Sequence, residues 1–405
     1  MITAPNLSTI ADGTPASHPV STALGEALQQ WLDLGHWEAG PALEELLNRV
    51  QTAIRTSIAE EARLRDTIRS HVLAELRHFP DAPAAAGVYM VDDHWLEAAR
   101  RHLLLVGQVT ACDGAAAGHD GLTATVAAIG VCLVRYDGTL NSWRSTFLRH
   151  DYDLRHTDPV AQLRTVLDRR AGQTAVSGTA AANSVHTLLR RGLMALAERT
   201  ALVRCTSSRW KVGHGVPAPL ELLTGSGSEE VIDQALPILE ALLLADKRWI
   251  FFPDTLADRA LLTLVNALKP GELAILQNGK PMLEAIIETA NYAPGYRRKV
   301  EAFASRLGEA MVVGGYRASR YAPAQLFIAH ADTAVEAGIL AMTDSRLNPH
   351  QGSPLLLQLA GIGARTGMGL DAFCHLVEAA YAQSRSLDLY YPARIDHDFG
   401  QHFSR

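Results

Sequence analysis

The chain is short of the features that place a sequence quickly. Its 405 residues hold four cysteines, Cys112, Cys132, Cys205 and Cys374, with no CxxC spacing among them. That argues against a zinc site and a disulfide framework and points to a reducing, cytoplasmic setting. No apolar run reaches the ~18 residues of a membrane span. The first twenty residues lack the basic and apolar regions of a secretory signal and read as a flexible arm. There is no GxxxxGK[ST], so the chain is not a P-loop ATPase, and neither GxSxG nor HExxH occurs. No repeat of 20 to 50 residues is visible. With a formal charge of −6, the whole chain is no electrostatic DNA binder, and any nucleic-acid contact needs a local basic channel.

What is present is a large folded protein. Hydrophobic residues make up 48%, and the length allows two or three domains or one large one. The richest stretch is 103–137. A β-type apolar run ends in Asp113-Gly114, a small-residue turn follows, and a second β-type run begins. Asp-Gly is a common turn dipeptide. An Asp at the exit of a hairpin's first strand is also where nucleases of the ribonuclease-H type hold a divalent metal.

Apolar positions recur at helical spacing over 21–79, with Pro41 suited to a first helical turn, so a helical arm is expected before the breaker-rich 80–87. Strands are expected at 103–111, 123–136 and 141–148, then helices at 158–170 and 184–200, with Asn183 or Ser184 as cap. A short strand at 201–207 and a loop at 213–227 follow. Next come a helix at 229–244, a strand at 249–252 and a helix at 256–268. The region 280–307 reads as helical, 325–330 as an edge strand, and 334–343, 354–362 and 369–383 as helices before an irregular tail. The order predicts an α/β fold: a ribonuclease-H-like mixed sheet flanked by helices. The domains expected are a flexible arm at 1–20, a helical arm at 21–87 and a nuclease-like domain at 88–405.

Several segments together resemble the NurA family of DNA-end-processing nucleases, which partner the HerA hexameric translocase. The first is Ala111-Cys112-Asp113-Gly114-Ala115, similar to the family's strand ending in Asp-Gly-Ser. An Arg-bearing helix follows, from Leu188-Leu189-Arg190-Arg191 to Glu198, leading into an apolar run at 201–205. Then come Pro217-Ala218-Pro219-Leu220-Glu221-Leu222-Leu223, the strand and helix around 248–254, and Gly352-Ser353-Pro354-Leu355-Leu356-Leu357. The order covers roughly 103–383. Three positions depart from the family. The first motif lacks its Ser, the Asp ending the second strand falls near Cys205-Thr206, and the closing-helix His falls near Leu359-Ala360-Gly361.

The resemblance implies a metal-dependent deoxyribonuclease subunit, a homodimer acting with a HerA-like hexameric ATPase on DNA ends, in DNA repair or defence against foreign DNA. The alternative is a catalytically degenerate adaptor that docks on the ATPase and guides DNA without cutting. In the first reading Asp113, Glu198 and Asp254 hold Mn²⁺ or Mg²⁺, which hard carboxylate oxygens suit. His350, just before the Gly-x-Pro turn, stands in for the missing His as general acid or phosphate contact. Arg190, Arg191, Arg209, Lys211 and His214 are the candidate DNA contacts. Each has a plainer reading: Glu198 pairing with Arg199, Asp254 capping a helix, His350 and His214 as solvated loop residues, the basic groups as a solvated face. Asp120 reads as a turn residue. Asp396 and Asp398 share a face if extended and could hold an ion, with a solvated tail as the default. Gly225-Ser226-Gly227-Ser228 could seat a phosphate or cap a loop.

Overall fold

Small residues dominate the centre of the richest stretch, and the computed structural model shows what they allow: a long strand with a helix pressed on each face. The structure describes residues 43–80, 82–120, 125–149, 178–225, 229–253, 259–290, 292, 294–389 and 395–398. The chain divides into two units, Met1–Ala62 and Arg63–Arg405. In the first, the described residues open helix α1 (Leu43–His71), whose Leu47, Val50, Ile54 and Ile58 are exposed. Their near-heptad spacing makes one apolar stripe. The helix predicted before Pro41, and Pro41 itself, lie outside the described residues.

In the second unit the end of α1 is held by a fork. Arg69 Nη1 and Nη2 donate to the two oxygens of Glu272 at 2.6 and 3.0 Å, and Nη1 also reaches the Ala267 carbonyl at 2.9 Å. Bidentate pairing of this kind fixes direction as well as distance. Strand β1 (Gly87–Met90) follows, then α2 (Asp93–Ala99), capped by the Asp92 carboxylate accepting from Trp95 N–H at 2.9 Å. Strands β2 (Val109–Asp120), β3 (Thr125–Val134) and β4 (Leu140–Arg149) form an antiparallel set. Helix α3 (Gly178–Arg204) leads to β5 (Trp210–His214), the short α4 (Leu220–Leu223), α5 (Glu229–Leu239) and β6 (Trp249–Phe252). Then come α6 (Arg259–Asn266), β7 (Glu272–Asn278), α7 (Lys280–Thr289), α8 (Pro294–Ala310), β8 (Met311–Tyr316) and β9 (Gln325–His330). Helices α9 (Ala334–Ser345), α10 (Leu355–Met368) and α11 (Leu370–Gln383) precede β10 (Ile395–Asp398).

The strand order is β1-β7-β8-β9-β6-β5-β2-β3-β4, with β10 also on β2. Strand β5 runs parallel to β2, and β6 parallel to β5. Three antiparallel strands with parallel strands added beside the first is the ribonuclease-H-like arrangement expected from the sequence. Strands β9, β8, β7 and β1 extend it by antiparallel pairing. Each face carries its own apolar core.

Five expectations need correction. The first long strand begins at Val109, because residues Arg100–Leu104 continue the preceding helix as a π-helical turn. It also continues through 114–118, so the small-residue run is strand and not turn. Residues 201–204 belong to α3, and the following strand is Trp210–His214. Strand β9 is interior, lying between β8 and β6. The tail after 383 is not wholly irregular, since β10 pairs with Ala116–His119 of β2. The predicted helix at 158–170 lies outside the described residues.

Candidate functional site

The Ala and Gly residues of β2 set the site's geometry. A β carbon on Gly114 would collide with Glu198 Oε1 and, at 2.7 Å, with Met194 Cγ; one on Gly118 would collide with Arg190 Nη1. Helix α3 therefore lies along β2 with Arg190, Met194 and Glu198 on one stripe. The spacings agree: eight helical residues rise about 12 Å, and four strand residues about 13 Å. On the other face α10 comes equally close. A β carbon on Gly130 would lie 2.8 Å from Ala364 O, and one on Gly363 2.6 Å from Cys132 Sγ.

Asp113 sits mid-strand, 7% exposed, opposite Cys132 of β3. Its Oδ1 accepts from the Gly114 N–H at 2.9 Å. Cys112 pairs with Gly213, so the next residues along, Asp113 and His214, are neighbours across β2 and β5. His214 Nδ1 lies 3.8 Å from Asp113 Oδ1. Strand β5 pairs with Val109–Cys112, and β10 pairs with Ala116–His119. Among the described residues, this edge of β2 at 113–115 thus falls between the ends of two strands.

Glu198 is 5% exposed and pairs with the 2%-exposed Arg199 through Oε2 and Nη1. Arg199 also ties down the β5–α4 connection. Its Nη2 donates to His214 O at 3.2 Å and Val216 O at 2.7 Å, and Nε to Pro217 O at 3.4 Å. Its guanidinium lies 5.0 Å from the centre of the Phe251 ring. Gly213 is what allows that ring in, since a β carbon there would strike Phe251.

Both carboxyl groups are pushed up, to about 7, chiefly by burial. The negative charge of Asp113 raises Glu198 further, while Arg199 and His214 oppose the rise; Arg365 and Arg199 do the same for Asp113. Burial outweighs the nearby positive charge of Arg199, Arg365 and His214, and a divalent cation would favour the charged form of both carboxylates further. Two carboxylates with an imidazole alongside are donors that Mn²⁺ or Mg²⁺ accepts. Among the described residues no group of three His, Cys, Asp or Glu is arranged to hold a metal, so a cation here would depend on the two carboxylates, with water or substrate oxygens in its other positions.

The remaining candidates divide clearly. Arg190 is buried against Gly118, and Arg191 is exposed on the same helix. Arg209 is exposed before the start of β5, at the end away from His214, and Lys211 is paired with Asp246. The trio Arg209, Lys211 and His214 is therefore not one cluster, because residues spread along a strand separate by about 3.3 Å each. His350 is exposed, its ring 5.8 Å from that of Tyr321. His350 lies between α9 and α10 and packs on Tyr321 of the connection after β8, four strands from β2 in the sheet, so it is not brought to Asp113. Asp254 lies outside the described residues. Strand β10 brings the backbone of Asp396 beside Gly118 and of Asp398 beside Ala116.

Two residues were missed. Arg199 was read only as a partner of Glu198. Arg365 was not singled out, yet it stands one helical turn beyond Gly361, its Nε 3.3 Å from Gly361 O, and its charge acts on Asp113. The strand-end position sought at Cys205-Thr206 is held by His214. The eight-residue interval from Arg190 to Glu198, matched to Gly114 and Gly118, was the readable signal.

Fold and site define an α/β protein with a ribonuclease-H-like sheet and two buried acidic residues, Asp113 on strand β2 and Glu198 on helix α3. The solved structures it resembles are NurA nucleases. The NurA nuclease from Sulfolobus solfataricus is similar over 84% of this chain and 98% of its own, at 11% identity and a TM-score of 0.44. NurA bound to dAMP and manganese is similar over 78% and 92%, at 8% identity and a TM-score of 0.42. NurA with manganese is similar over 81% and 98%, at 9% identity and a TM-score of 0.39. No protein-family model matches the chain, and no curated protein matches it in sequence.

Proposed function

We propose that this chain is a NurA-type, metal-dependent deoxyribonuclease. The observation that carries the reading is Glu198 Oε1 seated where Gly114 would carry a β carbon, beside the residue whose N–H binds Asp113. One carboxylate comes from a strand and one from a helix: Glu198 lies on the α3 face of β2 and Asp113, opposite Cys132, on the α10 face, so a shared cation would sit at the edge of β2 left open at 113–115.

In this reading Asp113 and Glu198 hold Mn²⁺ or Mg²⁺. The bound cation would polarise a phosphate and make its water a better nucleophile. His214, beside Asp113, exchanges the proton of the attacking water. Arg365 faces the same carboxylate from α10 and neutralises charge on the phosphate oxygens. Arg199 fixes Glu198 and the β5 end and acts as a positioning residue. DNA is the substrate. A homodimer working with a HerA-like hexameric ATPase, in DNA repair or defence against foreign DNA, belongs to the same proposal. The exposed stripe Leu47, Val50, Ile54 and Ile58 is a surface suited to assembly. No helix among the described residues is long and apolar enough to cross a membrane.

The test is cleavage of linear DNA with Mn²⁺ by the wild type and Asp113→Ala. Cutting that disappears in the variant is expected; equal cutting by both overturns the role of Asp113. A second reading, a non-cutting adaptor, draws on Arg199 already neutralising Glu198. It expects DNA to be bound and left intact by the wild type.

A further inference from the structure

A trough runs along one face of the β3–β4 pair, and its character changes from end to end. Ile129, Val131 and Leu133 of β3 belong to the apolar core they share with α3. Their partners on β4, Ser145, Trp143 and Asn141, therefore face the same helix. Around Trp143 and Phe147, 43% and 42% exposed, the trough is a mainly apolar groove of about 410 Å³, walled by Leu193 and Leu196 of α3. At the hairpin end it becomes a polar pocket of about 190 Å³, lined by Arg135, Thr139, Asn141 and the residues after α3. Cys205 lines both parts, so they are contiguous.

The deepest hydroxyls of the polar end are spent on one another. Thr110 Oγ1 donates to Ser208 Oγ at 2.6 Å and lies 2.8 Å from Thr206 Oγ1, and Ser208 Oγ donates to Gly107 O at 3.1 Å. Arg135 is oriented and still accessible. Its Nη2 donates to Thr139 Oγ1 at 2.7 Å and lies 3.1 Å from Asp137 Oδ2, while its side chain stays 25% exposed. The exposed Arg204 and Arg209 flank the connection from α3 to β5. Three guanidinium groups against one carboxylate leave this end of the trough positive.

We infer that the trough binds a small amphiphile, a monocarboxylate whose head lies at Arg135 and Asn141 and whose tail runs along Trp143 and Phe147. Guanidinium and amide donors hold a carboxylate by charge-assisted hydrogen bonds. Trp143 and Phe147 stand about 13 Å apart on β4, a distance that an extended chain of about ten carbons covers and a single ring does not. Apolar walls with a few polar groups that fix orientation are the usual make-up of a small-molecule site, and the groove's volume is within the usual range. Neither carboxylate of the proposed cation site takes part.

The experiment measures displacement of a fluorescent fatty-acid analogue, dansylaminoundecanoate, by decanoate, butyrate and 1-decanol. The wild type is expected to bind the analogue saturably. Decanoate should displace it about tenfold better than decanol, the scale of one charge-assisted hydrogen bond, and butyrate should not displace it. Arg135→Met should erase the difference between decanoate and decanol, and Arg135→Lys should keep part of it. Trp143→Ala and Phe147→Ala should weaken both ligands several-fold. Decanoate should also protect Cys205 from a maleimide, read by mass spectrometry at that residue. No saturable binding by the wild type, equal affinity for decanoate and decanol, or affinities unmoved by Arg135→Met and Trp143→Ala would overturn the inference. So would dissociation of an oligomer by Trp143→Ala with decanoate affinity unchanged, which would assign the groove to a second copy of the chain. No arm involves DNA or a cation, so this result and the test of the nuclease reading are read separately.

Discussion

The two halves of the sheet are built on opposite plans. Strands β6, β8 and β9 are buried along their whole length, and Trp249, Phe251, Tyr316 and Phe327 are fully enclosed. Strand β2 is just as enclosed, yet its middle reads Cys112-Asp113-Gly114-Ala115-Ala116-Ala117-Gly118. In the first half large side chains fill the layers between sheet and helices. In the second the strand is stripped of bulk, and Glu198, Met194 and Arg190 of α3 occupy the space. Dispersion and apolar burial stabilise the first plan. The second gives up part of that stabilisation to admit charged groups, which are unfavourable in an apolar interior unless something neutralises them.

The contrast can be broken from either side. Asp113→Asn should lower Mn²⁺-dependent DNA hydrolysis by about a thousandfold or more, since a cation site loses one of two carboxylates. Its melting temperature should hold or rise, because a buried charge has been removed. Phe327→Ala should do the reverse, costing about 3–5 kcal/mol in denaturant titration with activity per folded molecule retained. Lost activity at full stability would contradict the division. Gly114→Ala should reach both plans: a methyl meeting Glu198 and Met194 is expected to cost about 1–3 kcal/mol and to depress hydrolysis further than that loss explains.

The smallest effect concerns the anchor of α10. Buried Asp344 accepts from the Tyr136 hydroxyl and, at 3.0 Å, from the Leu356 N–H at the start of that helix. Burial raises its carboxyl to about 6, although both hydrogen bonds pull it down. A carboxyl raised in the folded state binds its proton more tightly there than when unfolded. Stability should therefore fall as pH rises from about 4 to about 6 and level off above, by no more than about 3 kcal/mol. Asp344→Asn, which keeps an acceptor oxygen for the Leu356 N–H and turns an NH2 donor to the Tyr136 oxygen, should flatten that slope in urea titrations across this range.

Much of this was legible in the sequence wherever period and length agreed. The strand at 249–252 and the helices after 229, 334 and 369 follow from apolar spacing and breakers. Strands β1, β7 and β8 were not anticipated: β7 runs almost directly into α7 and β8 starts where α8 ends, and short apolar runs beside a helix are not told from its continuation by periodicity. The run after Asp113 was misread for a related reason. Ala and Gly have weak strand propensity, and only the close approach of α3 and α10 makes them the residues that fit. Asp113 and Glu198 were named from order and spacing alone. Arg365 and the pairing of His214 with Asp113 were not, because both depend on register between distant segments.

The central claim is that a strand carboxylate and a helix carboxylate act as one cation site. Mn²⁺ titration, followed by the electron paramagnetic resonance of the free ion, tests it in wild type, Asp113→Asn, Glu198→Gln and the double variant. One site is expected in the wild type, weakened sharply by either substitution, with the double variant little worse than each single one. Undiminished Mn²⁺ binding in both single variants would contradict the account.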